Sequence, residues 1–180
     1  MTAYVALLRG VNVGGRNRVP MEALRKDLDA LGYEEVSTYL LSGNALFRAG
    51  AHQTHAIRKA VEARLARFMT TEPVVFVRES SQMSRSVKGA PFRGPEREGA
   101  HRYVTFLERA PWPGGRLPVS ALELDYRLLR GAEVYSVGSR IKGRFGYPGP
   151  SLEKALGVRA TTRTFAVVQE LARRAAALER

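Results

Sequence analysis

Arg9, Arg16 and Arg18 surround a glycine pair, Gly14-Gly15, within the segment Tyr4-Val-Ala-Leu-Leu-Arg-Gly-Val-Asn-Val-Gly-Gly-Arg-Asn-Arg-Val-Pro-Met21. Glycine lets a backbone approach a ligand closely, and a guanidinium pairs with phosphate or carboxylate through two parallel hydrogen bonds. Together they offer anion capture, with loop amides and side-chain cations aimed at one negative group. Asn12 adds a neutral hydrogen-bonding group from the same loop, and Ser42 and Asn44 add two more from the tripeptide Ser42-Gly43-Asn44. The expected ligand-binding set is therefore Arg9, Asn12, Gly14, Gly15, Arg16, Ser42 and Asn44, receiving a small ligand that carries a phosphate or a carboxylate. The same residues have a plainer reading, in which Gly14-Gly15 turns the chain and the asparagines tie the loops together through their backbones.

The loop comes close to the nucleotide-binding pattern G-x-x-x-x-G-K-[ST], but Arg16 stands in place of the lysine and Asn17 in place of the magnesium-binding hydroxyl. The helix that follows is signalled only near Pro20, too late to aim its amides at the phosphate the glycines would hold. A triphosphate-hydrolysing loop is thereby set aside. Other catalytic signals are weaker. His52 and His55 share a helix start without cysteine or carboxylate partners, so no metal site is expected. Ser42 lacks the first glycine of a nucleophile elbow. Glu123 and Asp125 fall on one strand face, where solvated carboxylates are the usual outcome. No acid, base or nucleophile is assigned, so catalysis is left open, with an enzyme acting on a nucleotide or phosphorylated metabolite kept as an alternative, and no cofactor is called for.

A net charge of +12, carried by 24 arginines and five lysines, raises polyanions as partners. It is spread along the chain, +5 over residues 1–90 and +7 over residues 91–180. The second half contains a basic zone at 137–163, where Arg140, Lys142, Arg144 and Arg163 are the candidate nucleic-acid contacts, with Lys154, Arg159, Phe145 and Tyr147 interspersed. A merely basic hairpin has the same composition. The aromatic platform of RNA-recognition sheets is missing, because strand three reads Asn44-Ala-Leu-Phe-Arg48 and strand one offers only Tyr4. No apolar run approaches the roughly 18 residues of a membrane span. A chain without cysteine or a signal-peptide pattern is expected in the cytoplasm. Nothing specifies an oligomer, and a monomer is the simplest expectation.

The elements that must position the loop follow from periodicity. Residues 3–9 are nearly all apolar, as in a central strand. Met21, Leu24, Leu28 and Leu31 then repeat at helical spacing, with Pro20 at the first helical position and Gly32 as the stop. Strands are expected at 36–41 and 45–48 around the Ser42-Gly43-Asn44 turn, a helix at 54–69 and a strand at 73–78. The order strand, helix, strand, strand, helix, strand is that of a ferredoxin-like sandwich. It places strands one and three side by side and antiparallel, and brings the glycine loop and the hairpin turn to one edge of the sheet. The fold class is α+β in two subdomains, a ferredoxin-like βαββαβ unit at 1–79 and a second, smaller α+β unit at 80–180. In the latter, helices are expected at 80–88, 117–122, from Ser151 to Gly157 and from Thr164 onward, with strands at 101–107, 124–129, 133–137 and 140–145. The segment Pro91 to Gly99 reads as a mobile loop.

Taken together, Tyr4 to Gly15, Val19-Pro-Met21, Leu31-Gly32, Tyr39-Leu-Leu-Ser-Gly-Asn44 and Leu156-Gly-Val-Arg-Ala-Thr-Thr-Arg163 resemble a widespread bacterial family of uncharacterised proteins of this length. The resemblance implies a two-part α+β architecture with a ferredoxin-like N-terminal half, and no reaction. Members commonly follow the Ala-Thr-x-Arg motif with Asn-Trp-Asn-Thr-Val and carry a lysine shortly before the short helix. Here Thr164-Phe-Ala-Val-Val168 and Pro150-Ser151-Leu152 stand at those places. If the family uses that C-terminal motif in chemistry, the resemblance implies that this chain has lost the activity or takes a different ligand.

Overall fold

A computed structural model describes residues 1–14, 17–51, 53–112, 115–120, 123–141 and 144–180, except for the side chains of Ile141, Arg144 and Phe145. The chain folds as two compact units, one formed by Met1–Arg85 with Glu170–Arg180 and the other by Ser86–Gln169.

The first unit contains β1 (Thr2–Leu8), α1 (Met21–Asp29), β2 (Glu34–Thr38), β3 (Asn44–Ala49), α2 (Thr54–Leu65) and β4 (Val75–Glu79). Its sheet has the order β2-β3-β1-β4, antiparallel throughout, which is the ferredoxin-like arrangement. Strand β1 lies in the centre beside β3, with Tyr4 opposite Phe47 and Ala6 opposite Ala45. Met21, Leu24 and Leu28 of α1 and Ile57, Val61 and Leu65 of α2 close over Tyr4, Ala6, Leu8 and Phe47 to form the core. Ala3, Val5 and Leu7, which alternate with these, are also fully buried, so both faces of β1 are covered and its near-continuous apolar run is explained.

Boundaries shift by small amounts. Pro20 is the N-cap rather than the first helical residue, with φ −66° and ψ 109°. Strand β2 begins two residues earlier than periodicity suggested, because its ladder with β3 carries a bulge between Glu34 and Ser37.

The C-terminal part of the first unit is the end of α5 (Phe165–Ala177). Glu170 accepts hydrogen bonds from Arg173 at 2.8 Å and from Arg174 at 2.7 Å, and Arg174 also sits 4.3 Å over the Tyr39 ring. The hydrogen bonds from the two guanidinium groups hold the Glu170 carboxyl down at about 2, against its ordinary 4.5. A depressed carboxylate stabilises the fold above its unfolded pKa, and the contribution is lost as pH falls through the folded value. Thermal unfolding followed between pH 5 and pH 2 should therefore show a Glu170-dependent fall in Tm beginning near the unfolded value, and E170Q should flatten that part of the profile. An E170Q profile that parallels the wild type would show that these bonds contribute nothing in solution. The effect is small because the carboxylate faces water.

Helix α3 (Ser80–Lys88) begins in the first unit and ends in the second, which takes it from Ser86 and then holds β5 (His101–Leu107), β6 (Leu124–Arg130), β7 (Glu133–Gly138), the short pair β8 (Arg140–Ile141) and β9 (Arg144–Phe145), α4 (Gly149–Leu156) and β10 (Ala160–Thr164). Its main sheet has the order β10-β5-β7-β6, again antiparallel. Counted within the unit, this strand order is that of the first sheet. The likeness extends to the hydrogen bonds that close the end of the first strand. Leu8 N–H donates to Gly43 O at 2.9 Å and Arg9 N–H to Val74 O at 3.0 Å; Leu107 N–H donates to Ala132 O at 2.8 Å and Glu108 N–H to Arg159 O at 2.9 Å. Among the described residues of 108–123, which are punctuated by proline and glycine, the second unit has no helix in the place of α1.

Several expectations are corrected in this unit. The helix expected at 117–122 is absent over the described residues 117–120, where Pro118 interrupts the chain. Strand β10 was not expected at all. The short helix starts at Gly149 behind Pro148, not at Ser151, whose hydroxyl instead donates to Pro148 O at 3.1 Å. Its stop at Gly157 is as read, with φ +61°. The segment expected to be mobile, 91–99, is anchored at two points. Glu96 accepts both terminal nitrogens of Arg127 at 2.8 and 2.7 Å and Arg102 Nε at 3.1 Å, and Phe92 stacks edge-on against Phe165 at 4.9 Å.

Candidate functional site

The loop after β1 departs from ordinary backbone at Gly10, Asn12, Gly14 and Asn17, with φ of +66°, +55°, +57° and +48°. Glycine and asparagine tolerate this left-handed region best, which is why these residue types occupy it. The Asn12 side chain then mimics a strand partner. Its Oδ1 accepts Val19 N–H at 2.9 Å, and its Nδ2 donates to Val19 O at 3.1 Å and to Leu41 O at 2.7 Å. Asn17 performs the same task on the opposite side. Its Nδ2 donates to Gly10 O and Thr71 Oγ1, both at 3.2 Å, while its Oδ1 accepts Thr70 N–H at 3.2 Å. Two asparagines thus fasten the glycine loop to the hairpin turn on one side and to the approach to β4 on the other.

The hairpin turn is equally constrained. Asn44 is fully buried, and its Nδ2 donates to Tyr39 O at 2.8 Å and to Ser42 Oγ at 3.3 Å. Gly43 has φ +82° and lies so close to the end of β1 and the loop beyond it that a Cβ there would come within 2.8 Å of Leu8 Cβ and 2.3 Å of Val11 Cγ2. Leu40 adopts φ +59° without being glycine or asparagine, a backbone strain of the kind that gathers where loops carry function.

The glycine loop and Ser42-Gly43-Asn44 therefore meet at the C-terminal end of β1, where the ferredoxin-like order places them. Between them lies an open depression of about 320 Å3 lined by Asn12, Arg18, Val19, Pro20, Met21 and Leu41. Arg18 is exposed and makes no ion pair among the described residues. Leu41 at 74%, Leu40 at 51% and Val13 at 66% retain most of their surface in water, an unusual concentration of exposed apolar side chains.

The sequence-derived set divides accordingly. Asn12 lines the depression, but both polar atoms of its side chain are engaged by backbone. Ser42 is exposed beside it, Asn44 lies beneath the turn, Gly14 is exposed, and Arg9 follows β1 with its backbone amide bonded to Val74. Gly15 and Arg16 lie outside the described residues. The lining from Val19, Pro20, Met21 and Leu41 was missed by sequence reasoning. Its only advance signal was the pair Leu40-Leu41 running directly into a turn-forming tripeptide, where polar residues are usual.

The basic zone is less coherent than its composition suggested. Arg140 and Lys154 are exposed, whereas Lys142 and the Arg144 side chain lie outside the described residues. Arg159 is held by Glu108 through bonds of 3.1 and 2.7 Å. Arg163, expected on the surface, is 8% exposed within the second unit and donates to Thr161 Oγ1 and Thr162 O at 2.9 Å. Burial pulls its guanidinium down to about 10. Among the described residues no group of three or more histidines or carboxylates could hold a metal, and no helix is long and apolar enough to cross a membrane.

The conserved bacterial protein SP0830 from Streptococcus pneumoniae has a similar solved structure, with a TM-score of 0.63 and 21% sequence identity over 97% of this chain and 98% of that one. At that identity the likeness concerns the fold alone. No curated protein matches the sequence. The described edge, with its glycine loop and hairpin turn, falls inside a family match that ends before the Leu156 to Arg163 motif. Residues 1–135 match the family described as protein of unknown function (DUF1697), and the chain belongs to that family.

Proposed function

We propose that the chain is a binding protein whose β1 loop edge receives a small ligand bearing a phosphate or a carboxylate. The observation that carries this reading is the depression in which Arg18 of the glycine loop faces Leu41 of the hairpin, fixed by the Asn12 bridge between the two segments. Arg18 supplies the cation at the mouth, and Arg16 belongs to the same loop in sequence. Binding is favoured over catalysis because the lining residues include no carboxylate, imidazole or hydroxyl. A site fixed by hydrogen bonds to backbone loses little entropy on occupation, as a binding edge requires. The cysteine-free sequence suits a cytoplasmic setting for this role. Nucleic acid is the weaker reading, since Arg159 is paired and Arg163 buried within the zone that would contact it.

The test is a thermal-shift and calorimetric panel of phosphorylated and carboxylated metabolites on the wild type and on R18E. A ligand that selects the native state raises Tm by mass action. R18E should weaken anionic hits by about tenfold or more, as expected for a charge-assisted contact of about 1.5–3 kcal/mol. Equal binding of every anion by wild type and R18E would remove the proposal.

A further inference from the structure

Resting on that reading, we infer that the ligand is an amphiphile, with an apolar body in the depression and a single anionic head at Arg18. The site has little to offer a sugar or a nucleobase. Recognition of such polar ligands needs side-chain donors and acceptors able to turn toward them, because an unmatched polar group loses its water without replacement. The Asn12 amide is committed to Val19 and Leu41, and the Asn44 side chain is buried beneath the turn with its Nδ2 donating to Tyr39 O and Ser42 Oγ. Among the described lining residues, Arg18 is left as the polar side chain open to a ligand. The rest of the wall is Val19, Pro20, Met21 and Leu41.

The mouth reinforces this chemistry. Leu41 lines the depression and stands largely in water, as do its chain neighbour Leu40 and Val13 next to Asn12, and Leu40 does so from a left-handed backbone that a leucine rarely adopts. Exposed apolar surface gathered at one edge is a binding feature rather than the scattered exposure of an ordinary surface. At about 320 Å3 the space sits at the lower end of small-molecule sites, enough for a short alkyl or aryl group and too open to enclose a large ligand. One cation at the rim of an apolar trough complements an anionic head on an apolar tail.

The experiment is calorimetric titration of the full chain with acetate, butanoate, hexanoate and octanoate, inorganic phosphate, octyl phosphate, and neutral octyl glucoside, each below its micelle concentration. Affinity should rise about two- to fourfold per added methylene until the trough is filled, as transfer of CH2 groups from water predicts. Octyl phosphate should bind at least tenfold tighter than inorganic phosphate. R18Q should weaken octanoate while leaving octyl glucoside unchanged, and L41S should flatten the chain-length slope. Both side chains are exposed, so neither variant threatens the fold. Inorganic phosphate bound as well as octyl phosphate, with no chain-length slope, would overturn the amphiphile while leaving an anion site standing. A slope shared equally by octyl glucoside would overturn the anionic head. Binding unaffected by R18Q and L41S, or a dimer dissolved by L41D that binds none of the probes, would overturn the inference altogether.

Discussion

Gly43→Ala is expected to destabilise the protein by about 2–4 kcal/mol, combining backbone strain with overpacking. Two penalties coincide at this residue. Its φ of +82° is a conformation that alanine adopts only with strain, and the added methyl would meet Val11 Cγ2 at 2.3 Å and Leu8 Cβ at 2.8 Å. Neither neighbour can retreat easily, because Leu8 is a core residue of the central strand and Val11 is buried at its end. Gly43 O also accepts Leu8 N–H, so a shift of the turn would sacrifice a ladder bond at the site's floor. Urea unfolding of the variant should show the midpoint falling with little change in slope, together with a Tm lower by roughly 10 °C. Gly14→Ala serves as the contrast. It has φ +57° but nothing within 4 Å, so only the backbone cost of about 1 kcal/mol applies. Similar losses at the two positions would refute the close approach described here.

Asn12→Ala should cost about 3 kcal/mol, since three hydrogen bonds to backbone disappear and the alanine inherits a left-handed φ. The bonds at stake run to Val19 N–H, Val19 O and Leu41 O, and Val19 is buried, so water cannot replace all of them. The signature is local as well as global. Hydrogen exchange at the Val19 amide should accelerate in the variant well beyond the change in global stability. Asn12→Asp discriminates between size and chemistry. It keeps the acceptor for Val19 N–H but turns a carboxylate toward two carbonyl oxygens, and should be nearly as damaging as alanine. A variant of either kind that unfolds like the wild type would mean that Asn12 does not fasten the loop.

How much of this was legible in the sequence depends on the residue. The ferredoxin-like unit was readable because its apolar residues repeat cleanly. Met21, Leu24 and Leu28, then Ile57, Val61 and Leu65, declare two helical stripes, and Ser42-Gly43-Asn44 declares the hairpin. The meeting of the two loops followed from topology alone. Strand β10 was not readable, since Ala-Thr-Thr-Arg-Thr shows no alternation of apolar and polar residues. Thr161 and Thr162 are buried polar groups, with Thr105 and Thr162 hydroxyls bonded at 2.8 Å across the ladder, and periodicity cannot anticipate such pairs. Arg163 failed for the same reason, as a strand with no apolar signature gave no hint that its guanidinium points inward. At the site, composition suggested side chains offered to a ligand. Geometry gives the asparagines to the backbone, as the plainer reading of the same residues expected, and brings in Pro20, Met21 and Leu41, residues whose types carry no chemical signal by themselves.

The matching closures of β1 and β5 make the chain its own internal comparison. Just past the end of its central strand the first unit has Arg9 and the second has Glu108, with which the Arg159 guanidinium forms an ion pair at 2.7 Å. The counterpart position thus carries a charge pair drawn from its own sequence. The same strand order has yielded one strand end that carries an ion pair and one near which Arg18, with no ion pair among the described residues, shares a depression with the exposed Leu41. If the β1 edge is the ligand site, one ligand per chain is the expected stoichiometry, because at the twin position the guanidinium is already engaged by Glu108.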